Sequence, residues 1–179
     1  TGGWLNTSPA TITLSRTDTT AGVAAPYYTT DGLDPTTGST PYTEPFTIAS
    51  EGATILKYFS VDAVGNTEVI KTKTISIDTV DPSIYSIDLT LPGSQTAVKV
   101  GDTITIVTEV DDFTSDVASV TVDLSPLGGA SNFALEWDEL EMLYIGEFTI
   151  TDDGIINGDK THVVTATDNA GNSTTDESA

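Results

Sequence analysis

The sequence predicts an all-β chain built as two tandem β-sandwiches. Stretches rich in Val, Ile, Thr and aromatic residues alternate with clusters of Gly, Pro, Asp and Asn, and no stretch sustains helical periodicity. A signature also occurs twice after a β-like run. Asp62-Ala-Val-Gly-Asn66 follows Ile55-Leu-Lys-Tyr-Phe-Ser-Val61, and Asp168-Asn-Ala-Gly-Asn172 follows His162-Val-Val-Thr-Ala-Thr167. Each copy has an upstream echo. Thr11-Ile-Thr-Leu14 leads to Asp18 and Gly22-Val23-Ala24; Thr103-Ile-Thr-Ile106 leads to Asp111-Asp112 and Asp116-Val117-Ala118. Matched pairs in the same order mean one structural unit used twice.

In the first unit, residues 1–79, strands are expected near 11–16, 24–30, 46–48, 54–61 and 69–77. Residues 31–41 form a turn-rich loop, where Gly supplies positive φ and Pro fixes φ. In the second unit, residues 80–179, strands are expected near 84–91, 103–110, 118–124, 133–137, 143–150 and 160–167. Residues 137–142 read as a hairpin rather than a helical turn. The boundary, 77–83, is short, acidic and contains Pro82, which restricts itself and Asp81. The first unit is expected to lack its first strand, and the second to be cut short in its last. Thr1-Gly-Gly-Trp4 has neither the charged nor the apolar region of a signal peptide. An internal stretch of a larger protein is therefore expected.

The formal charge is −21, from 27 acidic and 6 basic residues. Phosphate binding needs clustered Lys and Arg, so no nucleic-acid partner is expected. An anionic membrane surface is equally unattractive. No apolar run approaches the ~20 residues of a membrane span, so no direct membrane insertion is expected. Such charge favours solubility and attracts counter-cations. There is no cysteine, hence no disulfide or thiolate metal site. Core packing or bound ions must hold the modules.

Tyr27-Tyr-Thr-Thr-Asp-Gly-Leu-Asp-Pro35, Pro41-Tyr42, Pro45-Phe46 and Leu56-Lys-Tyr-Phe-Ser-Val-Asp-Ala-Val-Gly-Asn66 resemble the chitobiase/β-hexosaminidase C-terminal-type immunoglobulin-like module, over about residues 4–80. The second unit, from Val100-Gly-Asp-Thr-Ile-Thr to Ala166-Thr-Asp-Asn-Ala-Gly-Asn172, resembles bacterial and archaeal immunoglobulin-like repeats. The resemblance implies immunoglobulin-like (fibronectin III-like) sandwiches on extracellular, multi-domain proteins. Surface-layer proteins, adhesins and secreted glycoside hydrolases are examples. It implies other domains of the same chain as partners, and no enzyme activity for this stretch.

The signature has two readings. In one, the Asp caps backbone amides of a tight turn whose Gly is left-handed. In the other it helps to bind Ca²⁺, which takes six to eight oxygen ligands. In a seven-stranded sandwich the turns after strands B and F share one end. That brings Asp168 towards Asp111 and Asp112, with Asp78 and Asp81 of the linker entering at the same end. Adhesin repeats of the resembling kind bind calcium at such junctions. The matching set of the first unit is Asp18, Asp62 and Asn66, with fewer carboxylates. Beyond Ca²⁺ no cofactor is expected.

Other candidates are weaker. The acidic loop 151–159 lacks the order of an EF-hand and reads as a turn. His162, the single histidine, sits mid-strand with no Gly-x-Ser-x-Gly elbow in the chain, so a packed or surface-strand histidine is expected. No catalytic residue is assigned. Trp4, Tyr27, Tyr28, Tyr42, Trp137 and Tyr144 serve either as core and loop anchors or as a sugar-stacking face. Asn6-Thr-Ser8 and Asn172-Ser-Thr174 match the N-glycosylation pattern. The expected function is structural: a spacer, surface-layer or adhesin stalk segment on the cell surface. Self-assembly through an open sheet edge and contact with cell-surface glycans are further expected partners. The alternative is an accessory, sugar-binding module of a secreted glycoside hydrolase.

Overall fold

The computed structural model describes residues 3–15, 22–93, 96–151 and 159–178. The chain divides into two units, Thr1–Thr79 and Val80–Ala179. Among the described residues the only helical element is one short 3₁₀ turn, and everything else regular is strand.

The first unit has strands β1 (Trp4–Leu5), β2 (Ala10–Ile12), β3 (Val23–Thr29), β4 (Thr40–Pro41), β5 (Phe46–Ile48), β6 (Gly52–Asp62) and β7 (Lys71–Ile77). Five form a sheet in the order β1-β7-β6-β3-β4, and β2 pairs with β5. Ile12 and Ile48 from the small sheet pack with Leu56 and Ile77 from the large one. The Tyr28 and Phe46 rings add to that core, stacked with centroids 4.1 Å apart. The two layers thus make a sandwich.

The second unit has strands β8 (Ser83–Thr90), β9 (Thr103–Asp111), β10 (Val117–Val122), β11 (Phe133–Asp138), β12 (Leu143–Thr149), β13 (His162–Asp168) and β14 (Ser173–Ser178). Their hydrogen-bonded order is β14-β13-β10-β11-β12-β9-β8. β11 switches sheets part-way. Its first half pairs with β10 (Val120↔Leu135 to Val122↔Phe133), and its second half pairs with β12 (Glu136↔Ile145 to Asp138↔Leu143). The order folds back so that β8 and β14 pack beside each other. Ile104, Ile106, Val120, Val122, Leu124, Ile150 and Val164 fill the space between. Strand alternation selects this set: on β9, Ile104, Ile106, Thr108 and Val110 are buried while their neighbours are more exposed. Thr108 keeps its place because its hydroxyl donates to Ser86 O at 2.6 Å.

Several expectations shift. Two strands outside the expected set also form: β1 pairs in parallel with β7, and β14 pairs with β13 from Ser173 to Ser178. Short Thr- and Ser-rich segments carry weak periodicity, so their pairing partners, not their own pattern, define them. β10 ends at Val122 rather than 124. Pro126 and left-handed Gly128 (φ 79°) turn the chain into the 3₁₀ segment Ser125–Leu127. Residues 137–142 do form the hairpin between β11 and β12, with Asp138 Oδ1 accepting from the Leu140 and Glu141 amides at 2.8 and 3.1 Å.

Candidate cation site and the repeated turn

The two signatures share their bonding. In the first, Asp62 Oδ1 accepts from the Val64 and Asn66 amides at 3.0 and 2.7 Å, and Oδ2 accepts from Asn66 Nδ2 at 2.7 Å. In the second, Asp168 Oδ1 accepts from the Ala170, Gly171 and Asn172 amides at 2.8, 2.7 and 2.9 Å, and Oδ2 accepts from Asn172 Nδ2 at 2.8 Å. Gly65 and Gly171 both sit at positive φ (93° and 92°), which glycine adopts without a Cβ penalty. Asp starts the turn because a carboxylate can satisfy several amides at once. Asn ends it because its side chain can donate to the same carboxylate.

The upstream echo is structural too. Ala63 N–H donates to Gly22 O at 3.1 Å, and Asn169 N–H donates to Asp116 O at 3.0 Å. Gly22 and Asp116 both have positive φ (75° and 65°), and each precedes a register shift, at Val23/Ala25 and Val117/Ser119. The same bulge sets the same turn in both units.

What separates the copies is burial. Asp168 is 2% exposed and Asp112 6%. One carboxylate oxygen of each lies within 4.8 Å of the other. Asp112 directly follows β9 and continues its inward-facing alternation, so its burial follows from that pattern. Its Oδ1 accepts from the Thr114 and Ser115 amides at 3.1 and 2.7 Å. Asp62, by contrast, is only half-buried, and the Asn66 side-chain hydrogen bond is the main cause holding its carboxyl below the usual range. The donor set around Asp112 and Asp168 is all oxygen, which suits a hard divalent cation.

The remaining predicted ligands are distributed. Asp111 is not among the clustered carboxylates, although it lines one groove together with Asp112 and Tyr144. Asp81 is exposed, and its Oδ1 accepts from Ser173 N–H at 3.3 Å, next to Asn172. Asp78 belongs to the first unit, is fully buried, and donates its amide to Leu5 O at 2.9 Å. Asp18 and most of the acidic loop 151–159 lie outside the described residues. Asn6 is exposed, whereas Asn172 Nδ2 donates to Asp168 Oδ2 and, at 3.2 Å, to Val80 O. A glycan on that nitrogen would replace one of those hydrogens. His162 is buried on β13 with Nδ1 3.2 Å from Asp123 O.

One contributor was not foreseen. Asn169 Nδ2 donates to Ser115 O at 2.7 Å and Asp116 O at 3.1 Å, tying the signature turn to the turn that carries Asp112. The signal was present: the equivalent position in the first copy is Ala63, so the Asn is a departure within the repeat.

The first unit can be placed among known domains. Residues 1–74 match the family model of the Chitobiase/beta-hexosaminidase C-terminal domain. The matched type is a non-catalytic accessory module. A structure titled "Structures of Clostridium thermocellum CbhA fibronectin(III)-like modules" is 18% identical, with a TM-score of 0.43, over 98% of this chain and 85% of that one. No curated protein matches. Among the described residues, no helix is long and apolar enough to cross a membrane.

Proposed function

We propose that this chain is a non-catalytic structural segment of a larger extracellular or cell-surface protein, serving as a spacer in a stalk or surface layer. The observation that carries the reading is how its chemistry-bearing groups are spent. Asp112 and Asp168, the buried carboxylates of the second unit, accept from the amides of their own turns. The lone histidine is packed within a strand against a backbone carbonyl. Groups used this way build turns and are not available to a substrate.

Within that reading, Ca²⁺ binds at Asp112 and Asp168. Two buried carboxylates this close repel each other, and a divalent cation offsets the repulsion. Its contribution is neutralisation and cross-linking of two turns. Asp78 and Asp81 enter the same test as single substitutions. Ca²⁺ is expected to raise the melting temperature of the second unit, and Asp112→Asn with Asp168→Asn to abolish the rise. A calcium titration that leaves both melting and small-angle scattering unchanged removes the cation from the proposal. Hydrolysis of chromogenic glycosides by the purified chain would overturn the non-catalytic reading.

The family match favours a second reading, an accessory module of a secreted glycoside hydrolase, because the matched description names such enzymes. Polysaccharide pull-down by the first unit alone would support it over the stalk.

A further inference from the structure

Where β11 leaves β10 to join β12, the second unit opens a groove of about 630 Å³. The β10–β11 ladder stops at Val120↔Leu135, so Val117–Ser119 on one strand and Glu136–Asp138 on the other run apart without pairing to each other. Ala118, Ser119, Glu136 and Trp137 form its walls. At one side Trp137, 45% exposed, lies directly across the ladder from Tyr144, with ring centroids 5.1 Å apart. Asp111, Asp112, Asp116 and Glu136 also line the groove, and no Lys or Arg does.

We propose that this groove binds a lysine or arginine side chain carried on an extended segment of a partner polypeptide. Charge complementarity names the cation: four carboxylates and no base surround the opening. The aromatic pair names its form, because an ammonium or guanidinium is attracted to the face of Trp and Tyr while its stem covers apolar surface. The open edge of β10 names the carrier, since a main chain laid along Val117–Ser119 finds a strand edge with which to pair. A neutral sugar is less well served. The two rings are tilted by 56°, so they offer no shared flat platform, and a neutral ligand leaves the carboxylate repulsion in place. The field of those acids already reaches the aromatic pair: after burial, Asp111 and Asp116 are the causes that push the Tyr144 hydroxyl pKa up. The groove borders the proposed calcium site at Asp112, whereas Asp116, Glu136 and the aromatic pair lie outside that carboxylate cluster.

The test uses the full chain carrying Trp4→Phe, so that emission reports Trp137 alone. Acetyl-tetralysine amide is titrated by calorimetry and fluorescence, beside its Nε-acetylated form and a neutral tetrasaccharide. Saturable binding of the lysine peptide, a change in Trp137 emission and no binding of the acetylated form are expected. Asp116→Asn with Glu136→Gln should weaken binding about tenfold, and Trp137→Ala by a similar factor. Glu44→Gln with Asp88→Asn, exposed acids away from the groove lining, should leave it within about twofold. The proposal is overturned if the lysine peptide does not bind, if both acid pairs weaken it equally, or if only the tetrasaccharide binds.

Discussion

Asn172 grips Asp168 twice: its amide N–H donates to Oδ1 at 2.9 Å and its side-chain Nδ2 donates to Oδ2 at 2.8 Å. With the Ala170 and Gly171 amides, this buried carboxylate satisfies a whole turn. Asp168→Ala leaves three amides and a side-chain donor without their acceptor in a buried place. The expected loss is about 2–4 kcal/mol from the second unit. Asp62→Ala removes two amide bonds and the Asn66 side-chain bond at a half-buried place that water reaches, and is expected to cost less. Chemical denaturation of the two variants, followed unit by unit, checks the order.

The shared bulge gives a prediction of opposite sign. Asp116 holds φ 65°, where the first unit uses Gly22 at 75°. A non-glycine residue there carries backbone strain that glycine lacks, although glycine also gains freedom in the unfolded chain. Strain relief and one less negative charge together favour Asp116→Gly by about 0.5 kcal/mol. A melting temperature below that of the parent chain would show that Asp116 is held by something stronger than the bulge.

Much of this was legible in the sequence because the repeat is a repeat of bonding. Asp62 with Asn66 and Asp168 with Asn172 read the same in letters and in hydrogen bonds. Strand positions followed from period-2 burial, as on β9. Three things were harder to read. β1 and β14 depend on what they pair with. The difference between Asp111 and Asp112 depends on alternation continuing one residue past the end of β9, which buries Asp112 and leaves Asp111 partly exposed. The burial difference between Asp62 and Asp168 depends on what packs over each turn, which the identical motif does not encode.

Half-buried carboxylates held by hydrogen bonds set the acid limit. Ser125 holds the Asp123 carboxyl below the usual carboxylate range, as Lys99 does for Asp102 and Asn66 for Asp62. A carboxyl with a depressed folded pKa contributes stability that is fully present above its unfolded value. That stability is lost as pH falls through the folded one. Stability from these groups should be flat above about pH 5 and fall below about pH 4. Asp123→Asn removes one of them, so its melting temperature should converge on that of the parent chain as pH drops below 4. Parallel curves from pH 6 to pH 2.5 would contradict the assignment.

Close packing under the sheet switch supplies the last prediction. Gly146 on β12 faces β11 at the point where that strand changes partners. A Cβ there would lie 2.6 Å from Leu135 Cδ2 and 2.9 Å from Phe133 Cε1. Leu135 is a buried core residue, and the Phe133 ring meets Phe148 edge-on with centroids 6.0 Å apart. Neither neighbour can yield without disturbing the core between the two sheets. Gly146 does not have a positive φ, so the obstacle to a side chain is steric and not conformational. Gly146→Ala should therefore cost about 1–3 kcal/mol in the second unit despite the better strand entropy of alanine. Combining it with Leu135→Val frees space beside the new methyl and should recover part of that loss. The double-mutant cycle in denaturant reads the coupling directly: additive losses would mean that the contact with Leu135 is not what excludes a side chain at Gly146.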